Sequence, residues 1–96
     1  MAVYVDDMRA RVGRLVFSHM IADSDDELLR IADLIGVARR WHPYPGTYKN
    51  HFDICQTKRA IAIAIAIAIA NGAQQVSQRG LGAIIRARRL QSLAAA

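Results

Sequence analysis

Four carboxylates and two imidazoles stand where a short sheet can gather them. Asp6 and Asp7 close an apolar run near the start of the chain, Asp23 closes a second, and His51 and Asp53 lie two residues apart, with His19 inside the second run. A spacing of two puts His51 and Asp53 on one face of a strand. Ligands of open α/β sheets collect beyond the carboxyl ends of strands, so Asp6 and Asp23 become neighbours if their strands run parallel. Asp6, Asp23 and Asp53 then form an oxygen-rich metal-ligand set suited to magnesium or manganese, which activates water and neutralises phosphate oxygens. Asp6, Asp23, His51 and Asp53 are the expected catalytic group of a phosphodiesterase or nucleotide hydrolase. The competing reading is structural. No spacing here matches a strong metal motif, acids at strand ends also form turns, cap helices and pair with Arg9, Arg40 or Arg59, and His19 has the surroundings of a satisfied core histidine.

A second group alternates cations with flat rings: Arg39, Arg40, Trp41, His42, Tyr44, Tyr48, Lys49 and His51. Guanidinium and ammonium groups contact phosphate, while indole and phenol faces stack on unpaired bases for roughly 1–3 kcal/mol each. Lys58 and Arg59 extend this surface from a helix start, where backbone amides attract anions. The plain alternative has Trp41 anchoring the loop in the core and the tyrosines packing on proline. Cys55, between Ile54 and Gln56, has no nucleophile signature and reads as a buried structural thiol. Gly80 and Gly82 lack the context of a phosphate loop.

The elements that must position these groups follow from periodicity and punctuation. Ala2–Val5 reads as a short strand. Arg14–Ala22 reads as a second, with Leu15, Phe17, His19 and Ile21 on one face and Val16, Ser18, Met20 and Ala22 on the other. Ser24 and Glu27 have the spacing of a capping box, Asp25 and Asp26 suit the positive end of a helix dipole, Leu28, Ile31, Ala32 and Ile35 form an apolar stripe, and Gly36 supplies a left-handed stop. A helix is expected over 25–35. Val37–Trp41 reads as a short extended segment, the stretch to Asn50 with Pro43 and Pro45 as a loop, and Phe52–Cys55 as a strand.

Thr57 can cap a helix from Lys58 through the alanine–isoleucine tract to Asn71 and Gly72. Strict alternation there argues for a strand. Alanine content, the cap and the Asn-Gly stop argue for a helix, which is the reading adopted. At roughly 100° per residue, Ile61, Ile65 and Ile69 oppose Ile63 and Ile67, so Ala60–Ala70 is apolar all round and is an expected surface for homo-oligomers. Ala73–Val76 predicts a further strand, and Ser77 caps a last helix with Leu81, Ile84 and Ile85 that closes on Arg86, Arg88 and Arg89. The order predicts an α/β fold: a single small sandwich over residues 1–90, its mixed, mostly parallel sheet having about four short strands with three helices, and a frayed tail at 91–96.

The pieces Val3-Tyr4-Val5-Asp6 with Arg9, His19-Met20-Ile21-Ala22-Asp23 with Glu27-Leu28, Arg40-Trp41, His51-Phe52-Asp53, Thr57-Lys58-Arg59-Ala60 and Gly72-Ala73 occur in an order that resembles domain of unknown function 4031. That family comprises small uncharacterised proteins of bacteria and phages. The resemblance implies a cytoplasmic bacterial or phage-encoded protein and a capped helix after Thr57, and it brings no activity with it. The loop 42–50 and the alanine–isoleucine tract look longer than their counterparts in the family.

Length, cysteine content and charge bound the function. Ninety-six residues with 53% hydrophobic and 22% charged make one domain with one core. One cysteine excludes an internal disulfide. The start of the chain has neither the basic head and long apolar core of a signal peptide nor the pattern of a transit peptide, and no apolar run approaches the roughly 20 residues that span a bilayer, so no membrane partner is expected. Residues 1–36 hold four basic against seven acidic side chains and residues 37–96 nine against one, giving −3 and +8 and the chain's net +5. Such a field faces something anionic. The leading expectation is a small basic module that binds phosphate-containing ligands or nucleic acid. A metal-dependent hydrolase and a phage module that engages an acidic host protein are the other classes.

Overall fold

Gly13 takes a positive φ of 60° in the two-residue turn that joins Ala10–Val12 to Leu15–Ala22, a geometry glycine adopts without steric cost. This hairpin organises the sheet. The computed structural model describes residues 2–41, 47–69 and 73–95. In chain order its elements are β1 (Val3–Val5), β2 (Ala10–Val12), β3 (Leu15–Ala22), α1 (Asp25–Ile35), a 3₁₀ turn (Arg39–Trp41), β4 (Phe52–Cys55), α2 (Gln56–Ile69), β5 (Ala73–Gln75) and α3 (Gln78–Ala95). The α/β class holds, with three helices and five strands, rather than about four, among the described residues.

β3 is the spine. Val5 and Phe52 both pair with Met20, and Ala10 and Cys55 both pair with Phe17, so β1 and β2 lie end to end along one edge of β3 and β4 lies along the other. β5 adds to the far edge of β1 in parallel. Three of these ladders are antiparallel and one is parallel, which corrects the expected balance. The reasons are topological. β2 and β3 form a hairpin, and α1 with residues 36–51 makes a round trip that re-enters the sheet at the end where β3 leaves it.

Alternation then sorts the side chains. Val3, Val5, Met20, Ala22, Phe52 and Ile54 fall on one face and are buried beneath Leu28, Ile31, Ala32 and Ile35 of α1 and Ala62 of α2, each large side chain contributing about 1.5–3 kcal/mol. The α1 termini are as the residues dictate: the Ser24 side chain accepts from the Glu27 amide at 3.2 Å and Gly36 has φ 78°. The alanine–isoleucine tract is helical through Ile69, with Ala62 buried, Ile63 and Ile65 packed on the core and Ile61 exposed. Its alternation does not make a strand because a strand with one isoleucine face would leave the alanine face with nothing to cover it, whereas the helix buries small and large residues together. The segment expected to be extended after Val37 is instead a 3₁₀ turn at Arg39–Trp41, and α3 runs from Gln78 to Ala95.

α3 lies on the opposite sheet face, which carries His19 and Ile21. Its Ser77 cap accepts from the Gly80 amide at 2.9 Å, the Asp7 carboxylate accepts from the Gln78 amide at 2.7 Å, and Arg88 donates to the Ala22 carbonyl.

Candidate metal centre

Between the Val5–Met20 and Ala10–Phe17 pairs, four residues, Asp6 to Arg9, oppose only Ser18 and His19. A bulge of this size must find side-chain substitutes for lost ladder bonds. Asp6 supplies them. Its amide donates to the His19 carbonyl at 3.1 Å, its Oδ1 accepts from the His19 amide at 2.8 Å and the Met8 amide at 3.2 Å, and its Oδ2 accepts from His19 Nδ1 at 2.8 Å. Asp6 has no solvent exposure, which a carboxylate tolerates only with such donors. Ser18, also buried, donates to the Met8 carbonyl at 2.6 Å and accepts from Gln56 Nε2 at 2.8 Å, while Arg59 Nε donates to the Asp6 carbonyl at 2.8 Å.

The consequence is a histidine with an assigned tautomer. Asp6 can only accept, so His19 Nδ1 carries hydrogen and Nε2 presents its lone pair in the neutral ring. His51 is held in the same sense, its Nδ1 lying 2.6 Å from the Lys49 carbonyl, which also can only accept. His19 pairs directly across the ladder with Asp53, and His51 precedes Asp53 by two residues on the same face. The three therefore meet. His19 Nε2 is 3.8 Å and His51 Nε2 3.6 Å from Asp53 Oδ1, the two rings stand edge to face at 5.6 Å, and one donor atom from each residue lies within 4.8 Å of the others.

Donors bound to one tetrahedral ion at 2.0–2.2 Å sit about 3.4 Å apart, so shifts of a few tenths of an ångström to about 1.5 Å would close this set on a cation. Two imidazoles and one carboxylate are also one of the three-ligand sets that hold a catalytic zinc, which would leave a coordination position for water. Their chemistry favours zinc, manganese or iron(II) over magnesium, which prefers oxygen. The hydrogen bonds from both Nδ1 atoms are the outer support that ligating histidines ordinarily have. Asp53 is half-exposed and the imidazoles largely covered, so the set opens to solvent on the carboxylate side. A cleft of about 290 Å³ runs along His19, His51 and Lys49 to Gln78, Leu81 and Ile85 of α3.

The remaining expected residues are placed elsewhere. Asp23 does not join Asp6, because β1 and β3 are antiparallel: Asp23 aligns with Ala2, four residues along the strand from Asp6, or about 13 Å. There it accepts from the Ala2 amide at 2.7 Å and lies 3.8 Å from Arg88. Burial, and then the neighbouring Asp23 charge, push the Tyr4 phenol above its ordinary value of 10.0. Asp6 supports His19 rather than pointing at the three-donor set. Arg39 makes a two-point contact with Asp33, at 3.2 and 2.8 Å. Lys58 brings its ammonium beside Gly36 at the carboxyl end of α1. Lys49 lies 5.9 Å from the centre of the Tyr48 ring and also lines the cleft, while Arg40 is exposed on the 3₁₀ turn. Tyr44 and the Trp41 side chain fall outside the described residues.

A family profile described as "Protein of unknown function (DUF4031)" matches residues 3–88. The chain belongs to that family. Asp6, His19, His51 and Asp53 all fall within the matched segment. No curated protein and no solved structure matches the chain significantly. Among the described residues, no helix is long and apolar enough to cross a membrane.

Proposed function

We propose that this protein is a metal-dependent hydrolase of phosphate esters, with His19, His51 and Asp53 as metal ligands and Asp6 as the group that orients His19. The observation that carries the reading is the approach of one ring nitrogen from each imidazole and one carboxylate oxygen to within 4.8 Å, each imidazole held through its Nδ1 by an acceptor. A bound divalent ion would supply Lewis acidity toward water and a phosphoryl oxygen. Hydrolysis then adds the water oxygen to phosphorus and breaks the bond from phosphorus to the ester oxygen. The departing oxygen takes up the proton that water gives up.

Support for a phosphate rather than a neutral substrate comes from charge. Lys49 lines the cleft beside both imidazoles, and the chain carries net +5 with nine basic residues after residue 36, which favours an anionic over a neutral ligand. A nucleotide or a single-stranded nucleic acid is a natural carrier of such a phosphate, which joins this reading to the binding expectation from composition. Bacterial or phage origin remains what the family resemblance implies.

Titration calorimetry with zinc and with manganese, alongside turnover of bis-p-nitrophenyl phosphate, tests the proposal. One ion should bind per chain, with turnover that depends on it, and His51→Ala and Asp53→Ala should abolish both while circular dichroism stays unchanged. Metal binding that survives both substitutions would overturn the site.

A further inference from the structure

A second hollow shares two of these three residues. His19 and Asp53, which help form the metal set, also line a groove of about 890 Å³ whose walls are Met8, Val12, Leu15, Phe17, Val37 and Cys55, with smaller residues between. The groove lies where the end of the His19 face formed by β2 and the start of β3, which has no helix over it among the described residues, meets residues 36–38 after α1 and Lys58 of α2. Val12 is 66% and Leu15 52% exposed there. A strand pair that presents valine and leucine to water next to a half-buried phenylalanine is an apolar patch with a use. Its volume lies in the range of small-molecule sites, and its long wall ends on the candidate ligands.

We infer that this groove is the subsite for the apolar, ring-bearing part of the substrate, so that the preferred substrates are phosphate esters of aromatic or nucleoside-like groups, the phosphate at His19, His51 and Asp53 and the organic group against Leu15, Phe17 and Val12. This rests on the metal-site reading for the phosphate but on the sheet face alone for the organic group. The division gives separate roles to the two hollows that share His19. The smaller, beside Lys49, receives charge, and the larger, lined by apolar side chains, receives the ring. Lys58 and Gly36 both line the groove, and the Lys58 ammonium stands beside Gly36 at the carboxyl end of α1, so the groove has a cation on that wall.

Fluorescence titration with naphthyl phosphate, with zinc-loaded and metal-free protein, reads both parts. The zinc-loaded protein should bind naphthyl phosphate at least about tenfold more tightly than methyl phosphate, measured by competition. Leu15→Ser and Val12→Ser, both at exposed positions, should each weaken naphthyl phosphate about five- to tenfold, leaving methyl phosphate and zinc affinity unchanged. If naphthyl phosphate binds equally with and without zinc, and Leu15→Ser still weakens it, the groove stands and the metal reading fails. Equal affinity for the two esters overturns the groove whatever zinc does. So does light scattering that finds a dimer which Leu15→Ser converts to monomer, since the patch is then an interface between copies of the chain.

Discussion

His19 is held by Asp6 at two points, one carboxylate oxygen taking its backbone amide and the other its ring Nδ1, each at 2.8 Å. One side chain thus closes the bulge in the sheet and sets the direction of an imidazole lone pair. Asp6→Asn separates these duties. The amide oxygen can still accept from the His19 amide, but its NH₂ group then faces Nδ1, which favours the tautomer with hydrogen on Nε2, where it cannot ligate. Zinc affinity should fall about 10–100-fold, the usual cost of losing an outer-sphere partner, with retained far-ultraviolet circular dichroism. Unaltered calorimetric affinity in Asp6→Asn would show that His19 is not a ligand.

The antiparallel register of β1 and β3 separates two acids that a parallel sheet would have joined. Asp23→Asn should therefore leave zinc affinity within about twofold of the parent, since tenfold corresponds to about 1.4 kcal/mol and Asp23 has no contact with the donor set. Its cost should fall on stability instead, through the Ala2 amide at 2.7 Å and Arg88 at 3.8 Å. Urea unfolding and zinc titration of the same sample distinguish the two effects. A large loss of zinc affinity with little loss of stability would return Asp23 to the metal.

Much of this arrangement was legible in the residues, and the failures have physical causes. Caps and stripes gave α1 because Ser24, Glu27 and Gly36 act within one turn of their own positions. The pair His51 and Asp53 was legible for the same reason: a period of two is local. What pairs with what is not local. β2 is three exposed residues, Ala10-Arg11-Val12, with no apolar pattern, and only the turn at Gly13 betrays it. Without that hairpin β3 has no fixed direction relative to β1, so Asp6 and Asp23 looked like neighbours and His19 looked like a core residue.

Ser18 offers a test of the bulge apart from metal. Its buried hydroxyl gives its hydrogen to the Met8 carbonyl and accepts from Gln56. Ser18→Ala leaves both partners without it, and an unsatisfied buried polar group costs about 1–3 kcal/mol. The variant should unfold at correspondingly lower urea. Because Asp6 has its own donors, zinc should still bind, and zinc should raise the midpoint of the variant and the parent alike.

Asp33 and Arg39 predict a pH dependence of known sign. The hydrogen bond from Arg39, and then its charge, hold the Asp33 carboxyl below the ordinary 3.8. A depressed folded pKa adds stability that is present above the ordinary value and is lost as pH falls through the lower folded value. Both groups are exposed, so the effect is small and salt screens it. Thermal unfolding of the parent and Asp33→Asn at low salt should differ at neutral pH and converge in acid below the folded value. A difference that persists undiminished in strong acid would assign the effect to something other than this pair.

Gly36 combines a backbone and a side-chain constraint. Its φ of 78° lies in the left-handed region, where a side chain costs roughly 1–2 kcal/mol. A β-carbon there would also lie 3.1 Å from Lys58 Nζ. The ammonium is the far end of a flexible chain and can give way, but in doing so it leaves the carboxyl end of α1, whose last turn has no basic residue of its own. Gly36→Ala should therefore lose about 1–2 kcal/mol, or about 4–8 °C of melting temperature for each kcal/mol in a domain of this size. Lys58→Met should remove only the smaller, dipole part. In the double variant the combined loss should be less than the sum of the two single losses, because the ammonium that the added β-carbon displaces is already gone; strict additivity would mean that Lys58 contributes nothing at the end of α1.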